Sequence, residues 1–172
     1  MELIEMIDDV FQAAQSGDAS RLRRLLASCP QLANTENKDG LTPLGFAAHF
    51  GHKDAVQALL DHGADINALS HSKVSFIPSN TALHASIAGE RNMDVIHLLL
   101  LNKANTNVFD SNGHTCLHSA SFHDDNADLI RLLIGYGADV NARIEGGDTV
   151  LSLANQQANR QVAELLAQYG AV

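Results

Sequence analysis

The chain has 172 residues, 45% of them hydrophobic and only 5% aromatic, with no Trp and a formal charge of −9. This is enough chain to bury a core, while the acidity and the lack of a basic run disfavour sequence-independent binding to nucleic acid. Cys29 and Cys116 stand far apart and form neither a disulfide framework nor a metal-ligand spacing, so a reducing compartment, the cytoplasm, is expected.

The N-terminal stretch MELIEMIDDVFQAAQ carries Glu2, Glu5, Asp8 and Asp9. It has neither the basic start and continuous apolar stretch of a secretory signal nor the acid-poor composition of a transit peptide. Leu3, Met6, Ile7, Val10 and Phe11 recur at helical spacing and predict an opening helix with one apolar stripe. The longest apolar run of the chain, Leu98 to Leu101, is far too short to span a membrane, so no membrane partner is expected.

From Asp39 a two-helix pattern begins. Thr42 is placed to cap a first helix, and Pro43 at the next position forfeits no needed hydrogen bond. Ala47 and Ala48 keep that helix slim. Asp54 is expected to cap a second helix, whose Val56, Leu59 and Leu60 share one face. Gly63 then supplies the left-handed residue that ends it, and Gly137 and Gly170 repeat this stop.

The pattern returns along the chain. DGLTPLGFAAHFGHKDAVQALLDHGADINA (Asp39 to Ala68), SNTALHASIAGERNMDVIHLLLLNKANTNV (Ser79 to Val108) and NGHTCLHSASFHDDNADLIRLLIGYGADVNA (Asn112 to Ala142) align with one another. AAQSGDASRLRRLLASCPQLAN precedes them, and GGDTVLSLANQQANRQVAELLAQYGA follows as a partial copy. Thr81 to Thr115 and Thr115 to Thr149 are each 34 residues, but Thr42 to Thr81 is 39. The step from Asn to Thr shows where the excess lies. It is 8 residues for Asn34–Thr42, Asn107–Thr115 and Asn141–Thr149, and 14 for Asn67–Thr81.

This pattern resembles the ankyrin repeat. TPLG, TALH and TCLH correspond to the family's Thr-Pro-Leu-His, and GADIN and GADVN to its inter-repeat turn. The resemblance implies an all-α solenoid of helix-turn-helix units with short β-hairpin or loop fingers. About five repeats, two of them caps, would form one domain over 1–172, with units near 1–35, 36–68, 69–108, 109–142 and 143–172. One such helix pair cannot bury its own apolar face, so stacking must do it. Some positions depart from the pattern. Gly45 replaces the motif His, Lys103 replaces the stop Gly, and the links before Val95 and Leu129 are each one residue longer.

No HExxH, CxxC or P-loop pattern occurs. Ser70-His71-Ser72-Lys73 matches Ser-x-x-Lys, but it lies in the inserted loop and not at the helix start that motif requires. Of the nine His, His84 and His118 occupy the motif position, where the resemblance implies hydrogen bonds within and between repeats. His114 and His118 are four apart but are not expected to share a helical face, and His123-Asp124-Asp125 reads as solvated loop. A metal or catalytic role would need His114, His118, His123 and Asp124 to converge. No enzyme activity, cofactor or metal is therefore expected.

The resemblance also implies where partners dock: on the fingers and on the inner-helix ends lining a groove. By position these contacts are Leu41, His49, Phe50, Val74, Phe76, Ile77, His114, Phe122, His123 and Gln156. Phe50 and Phe122 would anchor a partner or, alternatively, tuck against the adjacent finger. If the inserted segment is extended, Val74 and Phe76 point to one side, either back onto the stack or toward a partner. The expected function is a non-catalytic, monomeric protein-binding module. Its acidity suits a partner with a basic surface. A dedicated inhibitor or immunity protein plugging a basic active site, and a scaffold whose partners bind its convex helices, are the other readings.

Overall fold

A computed structural model describes residues 2–172. Among these residues, ten α-helices and one 3-10 turn make up the regular structure, and no strand forms. The helices gather into two compact units, one reaching to Ala104 and the other running from Asn105 to Val172.

The first unit holds α1 (Leu3–Ser16), α2 (Ala19–Ser28), the 3-10 turn Pro30–Asn34, α3 (Pro43–His49), α4 (Lys53–Asp61), α5 (Ala82–Ala88) and α6 (Met93–Leu101). Helices α1, α3 and α5 pack side by side as an inner row, and α2, α4 and α6 as an outer row. Leu22, Leu26, Leu32, Leu59, Leu83, Ile87, Ile96 and Leu99 are fully buried between them. Each such side chain contributes roughly 1.5–3 kcal/mol of transfer free energy. The second unit holds α7 (Cys116–His123), α8 (Ala127–Gly135), α9 (Val150–Gln156) and α10 (Arg160–Gln168), with α7 on α9 and α8 on α10. Leu117, Leu129, Ile130 and Leu133 form its centre.

The inner helices start as the sequence predicts. Thr42 Oγ1 accepts from Gly45 N (3.0 Å), and Thr149 Oγ1 from Ser152 N (3.0 Å). Where the motif His is present, the cap becomes reciprocal. Thr81 N–H donates to His84 Nδ1 (3.4 Å) and Thr115 N–H to His118 Nδ1 (3.1 Å). Gly45 lacks this return bond.

Two expectations need correction. Asp54 does not cap α4. The cap position is His52, and Asp54 sits exposed in the first turn, where its charge complements the helix dipole. The equivalent residues Asp18, Asn92 and Asn126 do cap α2, α6 and α8. The His52 ring is engaged elsewhere, donating from Nε2 to the Gln15 carbonyl (2.8 Å). Leu3 does not join the apolar stripe of α1. It is 55% exposed, because α1 buries only its later residues Val10, Phe11, Ala13 and Ala14. Of the two forms expected for the fingers, the loop form is the one adopted: they are turns such as the one closed by Asn37 N to Leu41 O (3.1 Å) and the one closed by Asp110 N to His114 O (2.8 Å).

The extra residue before Leu129 is absorbed by lengthening α7 to eight residues, whereas α5 keeps seven and its link grows. Lys103 takes the left-handed conformation (φ 67°) that Gly63, Gly137 and Gly170 hold at φ 87°, 94° and 87°. A side chain pays roughly 1 kcal/mol for that geometry. Lys103→Gly should therefore raise unfolding stability by roughly 0.5–1 kcal/mol in a urea titration; an unchanged or lowered midpoint would show that the lysine is not strained.

Candidate functional site

The six-residue excess forms a finger with a bonded stem and a bare tip. Its neck closes where Ser70 N donates to Asn80 O (3.0 Å) and Asn80 N to Ser70 Oγ (3.1 Å). The stem then lies along the preceding finger. His71 N donates to Gly40 O (3.0 Å) and to Glu36 Oε1 (3.1 Å), and Lys73 N donates to Asp39 O (2.9 Å). His71 Nδ1 also meets Glu36 Oε1 at 2.7 Å. This close approach needs Gly40. Its φ is 74°, and a Cβ there would lie 2.0 Å from the His71 carbonyl oxygen.

The tip is not extended. Ile77 N donates to Val74 O (3.1 Å), so Val74 to Ile77 is a tight turn, and the extended form that would point Val74 and Phe76 to one side is not adopted. Val74 and Ile77 are half-buried, whereas Phe76 is 83% exposed. The turn divides the segment's apolar residues between packing and solvent.

Also in the first unit, Leu41 is half-buried in its finger turn, its N–H donating to Asn37 Oδ1 (3.0 Å). Phe50 closes an aromatic chain. Phe11 and Phe46 meet edge-on with ring centres 5.2 Å apart, Phe46 and Phe50 at 5.3 Å, and Phe50 and His49 at 5.0 Å. Phe50 is thus half-buried against Phe46, while His49 is exposed beside it.

In the second unit, Phe122 is 44% exposed and meets His123 edge-on at 5.6 Å. His123 and Gln156 are exposed at the ends of α7 and α9. His114 and His118 share no helical face, as expected, yet their rings come together. His114 lies on the finger but folds back over the start of α7, so the rings stack with centres 5.3 Å apart and planes at 17°. His114 Nε2 lies 3.6 Å from the Asp148 carboxylate. His118 is fully buried. Its Nε2–H donates to the Asp148 carbonyl (2.9 Å), and its Nδ1 accepts from Thr115. Burial holds the ring below its ordinary pKa, in the neutral form these bonds require. Among the described residues, no group of three or more His, Cys, Asp or Glu is placed to hold a metal ion.

Residues 10–110, 69–144 and 86–172 match the family described as ankyrin repeats (3 copies), which together cover most of the chain. The chain belongs to the ankyrin-repeat family. It is 35% identical over 100 residues to Inversin of Mus musculus, an alignment covering 58% of this chain and 9% of Inversin. It is 40% identical over 103 residues to the probable E3 ubiquitin-protein ligase XBOS33 of Oryza sativa subsp. japonica, covering 59% of this chain and 18% of that protein. Against the serine/threonine-protein kinase VIK of Arabidopsis thaliana, identity is 38% over 86 residues, covering 50% of this chain and 18% of the kinase. The matches therefore span less than a fifth of these proteins. Ankyrin repeats are generally protein–protein interaction modules and generally non-catalytic. No helix among the described residues is long and apolar enough to cross a membrane.

The sequence pattern did not mark Glu36 as the partner of His71. The two are 35 residues apart, and only the stacking of one repeat on the next joins them.

Three outcomes follow from this geometry. In Gly40→Ala the left-handed φ and the blocked approach should release the stem; faster hydrogen exchange at the amides of His71 and Lys73 would show it, and unchanged exchange would refute it. Because the fold depresses the His118 pKa, the unfolded chain binds the proton better. Stability is therefore fully present above about pH 6.5 and lost as pH falls below it. Urea unfolding between about pH 8 and 5 should show a shallower fall for His118→Asn than for wild type, and equal slopes would contradict this. Cys116 is buried, donates to Thr106 O (3.1 Å) and has its pKa pushed up to about 12 by burial. A thiol reagent at neutral pH should label Cys29 well before Cys116.

Proposed function

We propose that the chain is a non-catalytic protein-binding module whose contacts are the long finger and the exposed ends of the inner helices. The observation that carries this reading is Phe76: the most exposed large apolar side chain among the described residues stands on a stem bonded to the neighbouring finger. An aromatic ring held in water by a fixed support loses little conformational freedom when it docks, so burying it in a partner yields most of its transfer free energy. Phe122 and His49 supply further exposed contact area on α7 and α3. Phe50, with Leu41, Val74 and Ile77, belongs to the support, since each is already half-buried. His123, Gln156 and His114 flank the exposed residues of the second unit.

The module is proposed to act without cofactor. Its formal charge of −9 favours encounter with a partner of basic surface. Affinity capture with the wild-type chain, Phe76→Ala and Phe122→Ala tests the assignment. Both variants should keep the wild-type melting temperature, because neither ring is part of the core. Recovery of at least one wild-type partner should fall about tenfold or more. Equal recovery of the same partners by all three proteins would sink the assigned face.

A further inference from the structure

One cleft of the first unit has a chemistry of its own. It is open to solvent and offers about 510 Å³, within the roughly 300–1,000 Å³ range of ligand pockets. Its walls combine apolar side chains from Ala33, Leu44, Ala68 and Leu69 with the carboxylates of Glu36 and Asp65, and His71 stands at its edge. No Lys or Arg lines it. Each carboxylate has one oxygen engaged. Glu36 meets His71 through Oε1, and Asp65 accepts the Asn67 amide through Oδ1 (3.0 Å). Oε2 of Glu36 and Oδ2 of Asp65 remain for a donor from outside.

We propose that this cleft receives an arginine side chain of a peptide segment in the protein partner. The inference rests on the protein-binding role proposed above and names the chemistry of one contact. The charge argument is direct: two carboxylates without a neighbouring ammonium or guanidinium favour a cation. The walls select the kind of cation. Ala68 and Leu69 offer an apolar surface to a long aliphatic stem, which Arg has and a metal ion lacks. A guanidinium is planar, weakly hydrated and carries five donors, so one head group can serve two carboxylates that reach it from opposite ends of one repeat. Glu36 and Asp65 are such a pair, one lying before α3 and the other after α4. The His71 imidazole gives the planar head group a flat neighbour.

The test uses a defined probe, the tripeptide Ac-Ala-Arg-Ala-NH2, titrated into the isotopically labelled full chain and followed by amide NMR shifts. Saturable shifts should centre on Ala33, Leu44, Ala68 and Leu69. Binding should weaken about three- to fivefold in Glu36→Gln and in Asp65→Asn, and further in the double variant. Asp65→Asn retains an oxygen for the Asn67 amide, so it reports on charge and not on the turn. The citrulline peptide, equal in shape but uncharged, should bind far more weakly. Equal binding of the citrulline peptide, unaltered affinity in both variants, or shifts scattered outside the cleft would each overturn the assignment. The probe needs no native partner. Its failure, with Phe76-dependent capture intact, removes the arginine contact and leaves the protein-binding reading standing.

Discussion

A side-chain amide reaching from one repeat to the next is the contact on which this architecture depends. Asn34 Nδ2 donates to Gly63 O (2.9 Å), while its Oδ1 accepts from Asp65 N (2.7 Å). Asn107 makes the same pair of bonds to Gly137 O and Asp139 N, both at 2.9 Å. Asn141 makes them to Gly170 O and Val172 N, both at 3.0 Å. The last turn of a helix leaves carbonyls without partners. Here the stop residue's carbonyl, just past the outer helix, finds its partner in the preceding repeat. A bidentate amide fixes both the distance and the direction of the chain that follows. The turns after α4, α8 and α10 are thereby set.

A second set of bonds works at the other end of the helices. His52 donates to Gln15 O, Asn92 Nδ2 to Gly51 O (3.2 Å) and Asn159 Nδ2 to Ser121 O (2.9 Å). All three donors stand immediately before an outer helix. Apolar burial drives the repeats together but has no direction, so two hydrophobic helix pairs could slide over each other. The polar bonds at both ends remove that freedom. The long finger exploits this. Added loop residues cost little entropy, about 0.6 kcal/mol per doubling, yet a free loop would present Phe76 in many orientations. Bonds from His71 and Lys73 to Gly40 and Asp39 hold the stem on a finger whose own position is already set.

Much of this was legible in the sequence, for a physical reason. Helix starts, slim inner helices and left-handed stops depend on one residue and its near neighbours, so Thr42, Pro43, Ala47 and Gly63 could be read singly. The left-handed strain at Lys103 was equally local. What failed depended on partners distant in sequence. Asp54 is a plausible cap on spacing alone, but the cap position is His52, whose ring is committed to Gln15 of the previous repeat. The stacking of His114 on His118 needed the path of a finger. Spacing left open whether the segment from Val74 to Ile77 is extended; the bond from Ile77 N to Val74 O (3.1 Å) makes it a turn. Of the candidate contacts, the half-buried state of Phe50 against Phe46 and the exposure of Phe76 and Phe122 required the packed structure. Composition had shown only that six Phe exist.

The irregularities of the chain are also not independent of its electrostatics. The segment 69–108 carries the long finger and Lys103, and it has a formal charge of +1, whereas 36–68 has −3 and 109–142 has −4. At Gly63, Gly137 and Gly170, nothing lies within 4 Å of where a Cβ would be. Only the backbone conformation opposes a side chain at such a stop, so a charged residue can enter it without repacking. Lys73, on the finger stem, and Lys103 are both exposed. They place cations on the one repeat whose finger projects from an acidic chain. An acidic surface repels acidic segments of any molecule that approaches, and local cations lift that repulsion where they stand. The finger thus meets solvent in a different field from its neighbours, while the cleft beneath it, lined by Glu36 and Asp65, keeps the opposite sign. A partner surface that alternates acidic and basic groups over that short distance would complement both, and a uniformly basic one would complement only the cleft.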